Sequence, residues 1–170
     1  MKNELVLDCE TSILNHGNPY DHRNRLCYIG LYDGTTYQLF DIEYGAELHR
    51  QNLESVRSLV SNISLIVGFN LKFDLAWLRR YGIDFNHCDV WDCQLVEFIL
   101  SNQSTPYPSL DSVSIKYNLG SKLNIVDTEY WSKNIDTIDV PRDILEEYLR
   151  QDLFLTWEIY LKQQEILNAH

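Results

Sequence analysis

Residues 4–12 read ELVLDCETS, and the two carboxylates near the end of that stretch bear on the whole fold. Leu5, Val6 and Leu7 show no polar alternation, which is the pattern of a strand buried on both faces inside a sheet. Side chains at i and i+2 of a strand share a face, so Asp8 and Glu10 stand side by side with Cys9 turned away. Like charges at that spacing repel. A divalent cation between them reverses the repulsion; the alternative is an acidic strand end that simply meets water.

Downstream of the polar loop NHGNPYDHRN, the run RLCYIGLYDGTTYQLFDI carries a DG turn between two β-rich segments. It predicts an antiparallel hairpin over residues 26–32 and 36–42. AELHRQNLESVRSLVSN reads as an amphipathic helix with apolar positions at Leu48, Val56, Leu59 and Val60. SLIVGFN predicts another buried strand, then a helix through KFDLAWLRRYG stopped by Gly82. CDVWD is a short strand, CQLVEFILSN a helix and SLDSVSIKYN a short helix. The last helix is predicted after Asp139, with Pro141 in its first turn, and extends to near Leu167. This order of elements, three strands and then strands alternating with helices, predicts an α/β fold: a mixed five-stranded sheet, part meander and part parallel, covered by helices in three layers.

The 170 residues fit one domain, residues 1–170, able to bury its own core. With 45% hydrophobic and 12% aromatic residues the chain is globular. No apolar run approaches the roughly 18 residues of a membrane span, and the N-terminus lacks a charged region followed by an apolar one; the expectation is a soluble, intracellular, cytoplasmic protein. Cys9, Cys27, Cys88 and Cys93 are too sparse for a disulfide scaffold. A zinc site from His87, Cys88 and Cys93 is the sharper alternative to reduced thiols, but its spacing matches no usual ligand pairing. A net charge of −11, from 25 acidic and 14 basic residues, excludes a general electrostatic grip on nucleic acid. Any such contact is local or mediated by metal.

Two further pairs extend the acidic theme. Asn70 and Asp74 are four apart where a strand passes into a helix; a helix cap explains Asn70 alone and leaves Asp74 among Phe73, Leu75 and Trp77. Tyr148 and Asp152 are again four apart, on a helix whose Ile144, Leu145, Leu149, Leu155 and Ile159 face a core. For this pair a half-buried aromatic and a solvated charge are the ordinary alternative.

Taken jointly, D-x-E, N-x-x-x-D and Y-x-x-x-D resemble the three motifs of the DEDD 3′–5′ exonucleases of ribonuclease H-like fold. A tyrosine four positions before the last aspartate, with Glu147 where the other branch has histidine, places the resemblance in the tyrosine branch. VGFNLKFD, YGI and DVWDCQLVEFIL are similar to the proofreading domain of bacterial polymerase I, over nearly the whole chain. The resemblance implies a two-metal hydrolysis of phosphodiesters by Mg²⁺ or Mn²⁺. Asp8 would bridge both ions, Glu10 and Asp152 would hold the first, and Asp74 the second, mainly through water. Tyr148 would orient the attacking water, since a phenol near its reference pKa of about 10 is a poor base at neutral pH. Thr11, Leu14, Asn70 and Lys72 would meet the substrate, with Leu14 stacking on the terminal base. Tyr130 and Trp131 would wall a slot for single-stranded ends, or else serve the core. Lys72, Arg79 and Arg80 are candidates for phosphate contacts or plain solvent-facing charge.

The expected substrate is the 3′ end of single-stranded or frayed DNA, and the expected partner a separate DNA polymerase subunit. An exoribonuclease of the same superfamily and a non-catalytic scaffold that binds nucleic-acid ends are the alternatives.

Overall fold

Five strands form one mixed sheet in the order β3-β2-β1-β4-β5, and the computed structural model describes residues 3–43 and 46–169. β1 (Glu4–Thr11), β2 (Leu26–Tyr32) and β3 (Tyr37–Asp41) make the antiparallel meander, while β4 (Leu65–Gly68) and β5 (Asp89–Asp92) run parallel to β1. The DG turn is where the sequence places it: Asp33 Oδ1 accepts from the amides of Thr35 and Thr36 at 2.9 and 2.8 Å.

β1 alternates as its position at the centre demands. Leu5, Leu7 and Cys9 enter a core built with α1 (Ala46–Val60) and α2 (Leu71–Arg80). Val6 enters the opposite core, built with α3 (Cys93–Leu100), α4 (Leu110–Lys116), α5 (Ile125–Glu129) and α6 (Arg142–Asn168). Asp8 and Glu10 continue the Val6 side, so the acids face α6.

Gly30 explains how closely α6 approaches. It pairs with Asp8 across the β1–β2 ladder, and a Cβ there would come within 2.7 Å of Leu153 and 2.9 Å of Leu149. The missing side chain lets α6 lie directly against β2, beside Asp8 on the neighbouring strand.

Three sequence expectations need correction, and the zinc alternative is not met. The buried stripe of α1 is Leu53, Val56 and Val60, spaced 3 and 4 apart, while Leu48 and Leu59 are exposed. Pro141 lies just before α6 rather than in its first turn; its carbonyl accepts from the Leu145 amide at 3.0 Å, and the helix begins at Arg142. α5 is a short helix missing from the predicted order. The zinc candidates point apart: the His87 ring contacts Val60 O, Cys88 Sγ faces Phe85 O, and Cys93 Sγ faces Thr156 O. All four cysteines are free.

Candidate active site

The sheet delivers three carboxylates to one point. Asp8, Glu10 and Asp152 each offer an oxygen, and these oxygens all lie within 4.8 Å of one another. β1 supplies the first two from its C-terminal half, and α6 supplies the third across the gap that Gly30 leaves. Asp152 is buried, which removes the reading of a solvated charge, and Tyr148 one turn earlier is 1% exposed.

Asp74 arrives by a different route. The β1–β4 ladder ends at Val6 and Val67, so the later amides on that edge of β1 have no strand partner. Asp74 Oδ1 accepts from the Cys9 amide at 3.0 Å, taking the place of the absent carbonyl. The carboxylate therefore docks on the backbone between Asp8 and Glu10. Asn70, at the start of α2, adopts a left-handed conformation (φ 59°) and makes no side-chain cap. Asp92 caps instead: its two oxygens accept from the amides of Asn70 and Leu71, both at 2.9 Å, and its Oδ1 also takes the Gln94 amide at the start of α3.

Crowding these acids in a buried place raises their pKa values. Burial, then the charge of Asp152, pushes Asp8 up to about 7, against the pull of Lys122. Burial also pushes Asp152 up to about 6, and Lys122 again opposes. Glu10 and Asp74 are raised by burial first and by the Asp8 charge next. One oxygen of Asp152, Oδ1, is buried without a hydrogen-bond partner among the described residues. Oxygen donors converging at this distance, one of them orphaned, are a fitting seat for a hard divalent cation.

Two residues at this site carry no sequence signal. Lys122 Nζ lies 2.7 Å from Asp152 Oδ2. The Tyr148 hydroxyl donates to Asp127 Oδ2 at 3.2 Å. Burial first, and then the charges of Glu10, Asp152 and Asp127, drives the Tyr148 pKa upward, so the group is a neutral phenol at any physiological pH.

Beside the acids opens a cleft of about 510 Å³ lined in part by Glu10, Thr11, Ile13, His16, Phe73 and Trp131. The rings of Trp131 and Tyr148 stand nearly perpendicular with centroids 5.6 Å apart, and Trp131 Nε1 donates to Thr137 Oγ1, which in turn donates to the Thr11 carbonyl. The cleft floor needs Gly17. Its φ is +68°, and a Cβ would stand 2.8 Å from Thr11 Oγ1 and 3.1 Å from Phe73. Of the expected substrate residues, Thr11 and Trp131 line this cleft. Leu14 is exposed beside it, with Ile13 and His16 on the wall instead, and Tyr130 packs partly into the α6 core. Lys72 lines a separate apolar hollow with Leu95, Phe98 and Tyr107. Arg80 donates to the carbonyls of Pro19 and Asp21, and Arg79 lines a hollow near Asp84.

The site is thus an acidic cluster in the C-terminal half of a central strand, closed by a helix that packs across a mixed α/β sheet. The sequence matches the 3′–5′ exonuclease family over residues 1–168, and the chain belongs to that family. It is an exonuclease. It is 27% identical to DNA polymerase I of Aquifex aeolicus (strain VF5) over 165 residues, covering 96% of this chain and 24% of that protein. The chain thus spans about a quarter of that relative's length. Among solved structures, a nuclease in its apo form superposes with TM-score 0.69 and 14% identity, covering 98% of this chain and 73% of that one. The Nibbler EXO domain of Aedes aegypti gives 0.65 and 15%, covering 99% and 85%. Both likenesses agree with the ribonuclease H-like, three-layer fold. No helix among the described residues is long and apolar enough to cross a membrane.

Proposed function

We propose that the chain is a proofreading-type exonuclease that removes nucleotides from the 3′ end of single-stranded or frayed DNA as nucleoside 5′-monophosphates. The observation that carries this reading is the convergence of Asp8, Glu10 and Asp152 within 4.8 Å, with Asp74 docked against the same strand. A pair of divalent ions, Mg²⁺ or Mn²⁺, would be held by these four acids and, when bound, would supply charge neutralisation at the phosphodiester and activation of water.

The chain's own residues do the rest. Thr11, His16, Phe73 and Trp131 wall the slot that receives the terminal nucleotide; aromatic faces accept any base, which suits an enzyme that must remove all of them. Tyr148 stays neutral and orients the attacking water by hydrogen bonding, while Asp127 fixes the direction of its hydroxyl. Net charge −11 leaves little counterion-release energy. The isolated protein therefore grips only a few nucleotides and works distributively, with frayed ends presented by a separate polymerase polypeptide.

The test uses 5′-labelled DNA and RNA strands in parallel, with Mg²⁺, excess substrate and a heparin trap. DNA should shorten from its 3′ end in short steps, and matched duplex should resist, because unpairing costs roughly 1–2 kcal/mol per base-pair step. Degraded RNA beside intact DNA would make the chain an exoribonuclease. Long processive digestion of matched duplex would remove the proofreading role.

A further inference from the structure

The acidic cluster already holds a cation of its own. Lys122 Nζ sits 2.7 Å from Asp152 Oδ2 and 4.3 Å from the centroid of the Tyr148 ring, and its side chain is only 22% exposed. Lysines on a surface ordinarily keep their ammonium in water and gain little from an ion pair. This one is built in. Its amide donates to Asp111 Oδ1 at 2.7 Å, the next amide, Leu123, donates to Gln151 Oε1, and Gln151 Nε2 donates to the Ser121 carbonyl at 3.4 Å. Gln151 is the neighbour of Asp152, so the turn of α6 that delivers the carboxylate also grips the loop that delivers the ammonium. The pairing is nonetheless incomplete, because Asp152 Oδ1 remains buried without a partner.

We infer that Lys122 is a resident counter-ion of this site, which must leave Asp152 when a divalent ion takes the carboxylate, so that cation binding is an exchange rather than a simple addition. The inference rests on the metal reading given above. Like charges at contact distance around one carboxylate repel, and the low-dielectric surroundings sharpen that repulsion. Lys122 therefore acts in two opposed ways. It neutralises part of the cluster in the metal-free protein, and it weakens divalent binding, which sets the metal concentration below which the site stays idle. Its long, unbranched stem and pinned backbone suit a head group that moves while its base stays fixed.

Mn²⁺ titration by calorimetry without nucleic acid, at one fixed pH for all three proteins, compares wild type with Lys122→Met and Lys122→Arg. Lys122→Met should bind Mn²⁺ about 10-fold more tightly, as expected when a neighbouring positive charge is deleted. Its metal-free melting temperature should fall and recover when Mn²⁺ is added. Lys122→Arg keeps the charge and should stay within about 3-fold of wild type. In wild-type protein with labelled lysine, the Lys122 side-chain resonances should move on Mg²⁺ titration as the ammonium leaves the Tyr148 ring, a readout that does not depend on the variants folding. Resonances that stay fixed at saturating Mg²⁺, or equal or weaker Mn²⁺ binding by Lys122→Met, would overturn the exchange. Wild-type protein that binds no Mn²⁺ would instead overturn the metal reading beneath it.

Discussion

Two groups of buried carboxylates lie on the α6 side of the sheet, and the fold treats them in opposite ways. Glu97, on α3, is 3% exposed and receives Lys116 Nζ at 2.5 Å, the Tyr117 hydroxyl at 2.6 Å and Gln163 Nε2 at 3.3 Å. Burial by itself would raise its pKa, but these hydrogen bonds outweigh burial and hold the carboxyl below its ordinary value. The Asp8, Glu10 and Asp152 cluster has one lysine for three acids, an orphaned oxygen and raised pKa values. A carboxylate whose donors come from the protein is structural. One left short of donors is waiting for something the protein does not contain.

The widest separation between the two sites comes from deleting one acid in each. Asp8→Ala should abolish hydrolysis, a fall on the order of 10⁴-fold, while the metal-free fold stays intact or gains stability because a repelling charge is gone. Glu97→Ala should do the reverse. It strands the donors of Lys116, Tyr117 and Gln163 and should lower stability by about 2–3 kcal/mol in denaturant unfolding, with turnover by the folded fraction near normal. Near-normal rates for Asp8→Ala in saturating Mg²⁺ would erase the distinction.

Tyr148→Phe gives an intermediate effect. It deletes one hydroxyl and no charged ligand, so turnover should fall about 10- to 1000-fold with Mn²⁺ affinity little changed. Lost Mn²⁺ binding would make Tyr148 part of the scaffold.

The smallest and most diagnostic effect is a pH slope of opposite sign at the two sites. Asp8 is raised to about 7, so its contribution to metal-free stability is present below its ordinary value of 3.8 and is lost as pH climbs toward about 7. Glu97 is lowered, so its contribution is present above its ordinary value of 4.5 and is lost as pH falls through the acid range. Melting temperatures across that range in a chelator, with Asp8→Asn and Glu97→Gln each subtracted from wild type, should show the two differences running in opposite directions. Saturating Mg²⁺ should flatten the first and leave the second. Parallel slopes would mean that Asp8 is not raised in the metal-free protein.

The sequence made some of this legible and hid the rest for physical reasons. Asp8 and Glu10 are readable because strand side chains repeat every two residues, and Tyr148 and Asp152 because helix neighbours repeat every four; periodicity carries such pairs to one place whatever lies around them. Lys122 and Asp127 belong to a stretch of short helices and turns between α4 and α6 that has no period. Lys122 reaches Asp152 across a sequence separation that only tertiary packing closes. Asp92 is similar: one aspartate before a helix signals one cap, whereas here it caps α2 as well, and that second use depends on β4 and β5 ending side by side. Leu48 and Leu59 fall on an apolar stripe of the α1 sequence as Leu53, Val56 and Val60 do, and only the sheet beneath selects the second set.

The hydrogen bond from the Cys9 amide to Asp74 bears on how an inactive form of this enzyme should be made. A nuclease is commonly trapped on its substrate by replacing one acid, on the assumption that the four are interchangeable for that purpose. They are not interchangeable here. Asp74 completes the backbone pairing of the strand that carries Asp8 and Glu10, so its replacement by alanine frees a buried amide and loosens the very edge on which those two acids stand. Asp8 also draws on the Cys9 amide, but that amide keeps its 3.0 Å bond to Asp74 when Asp8 is replaced, so Asp8 is the position at which chemistry can be silenced while the strand edge is kept.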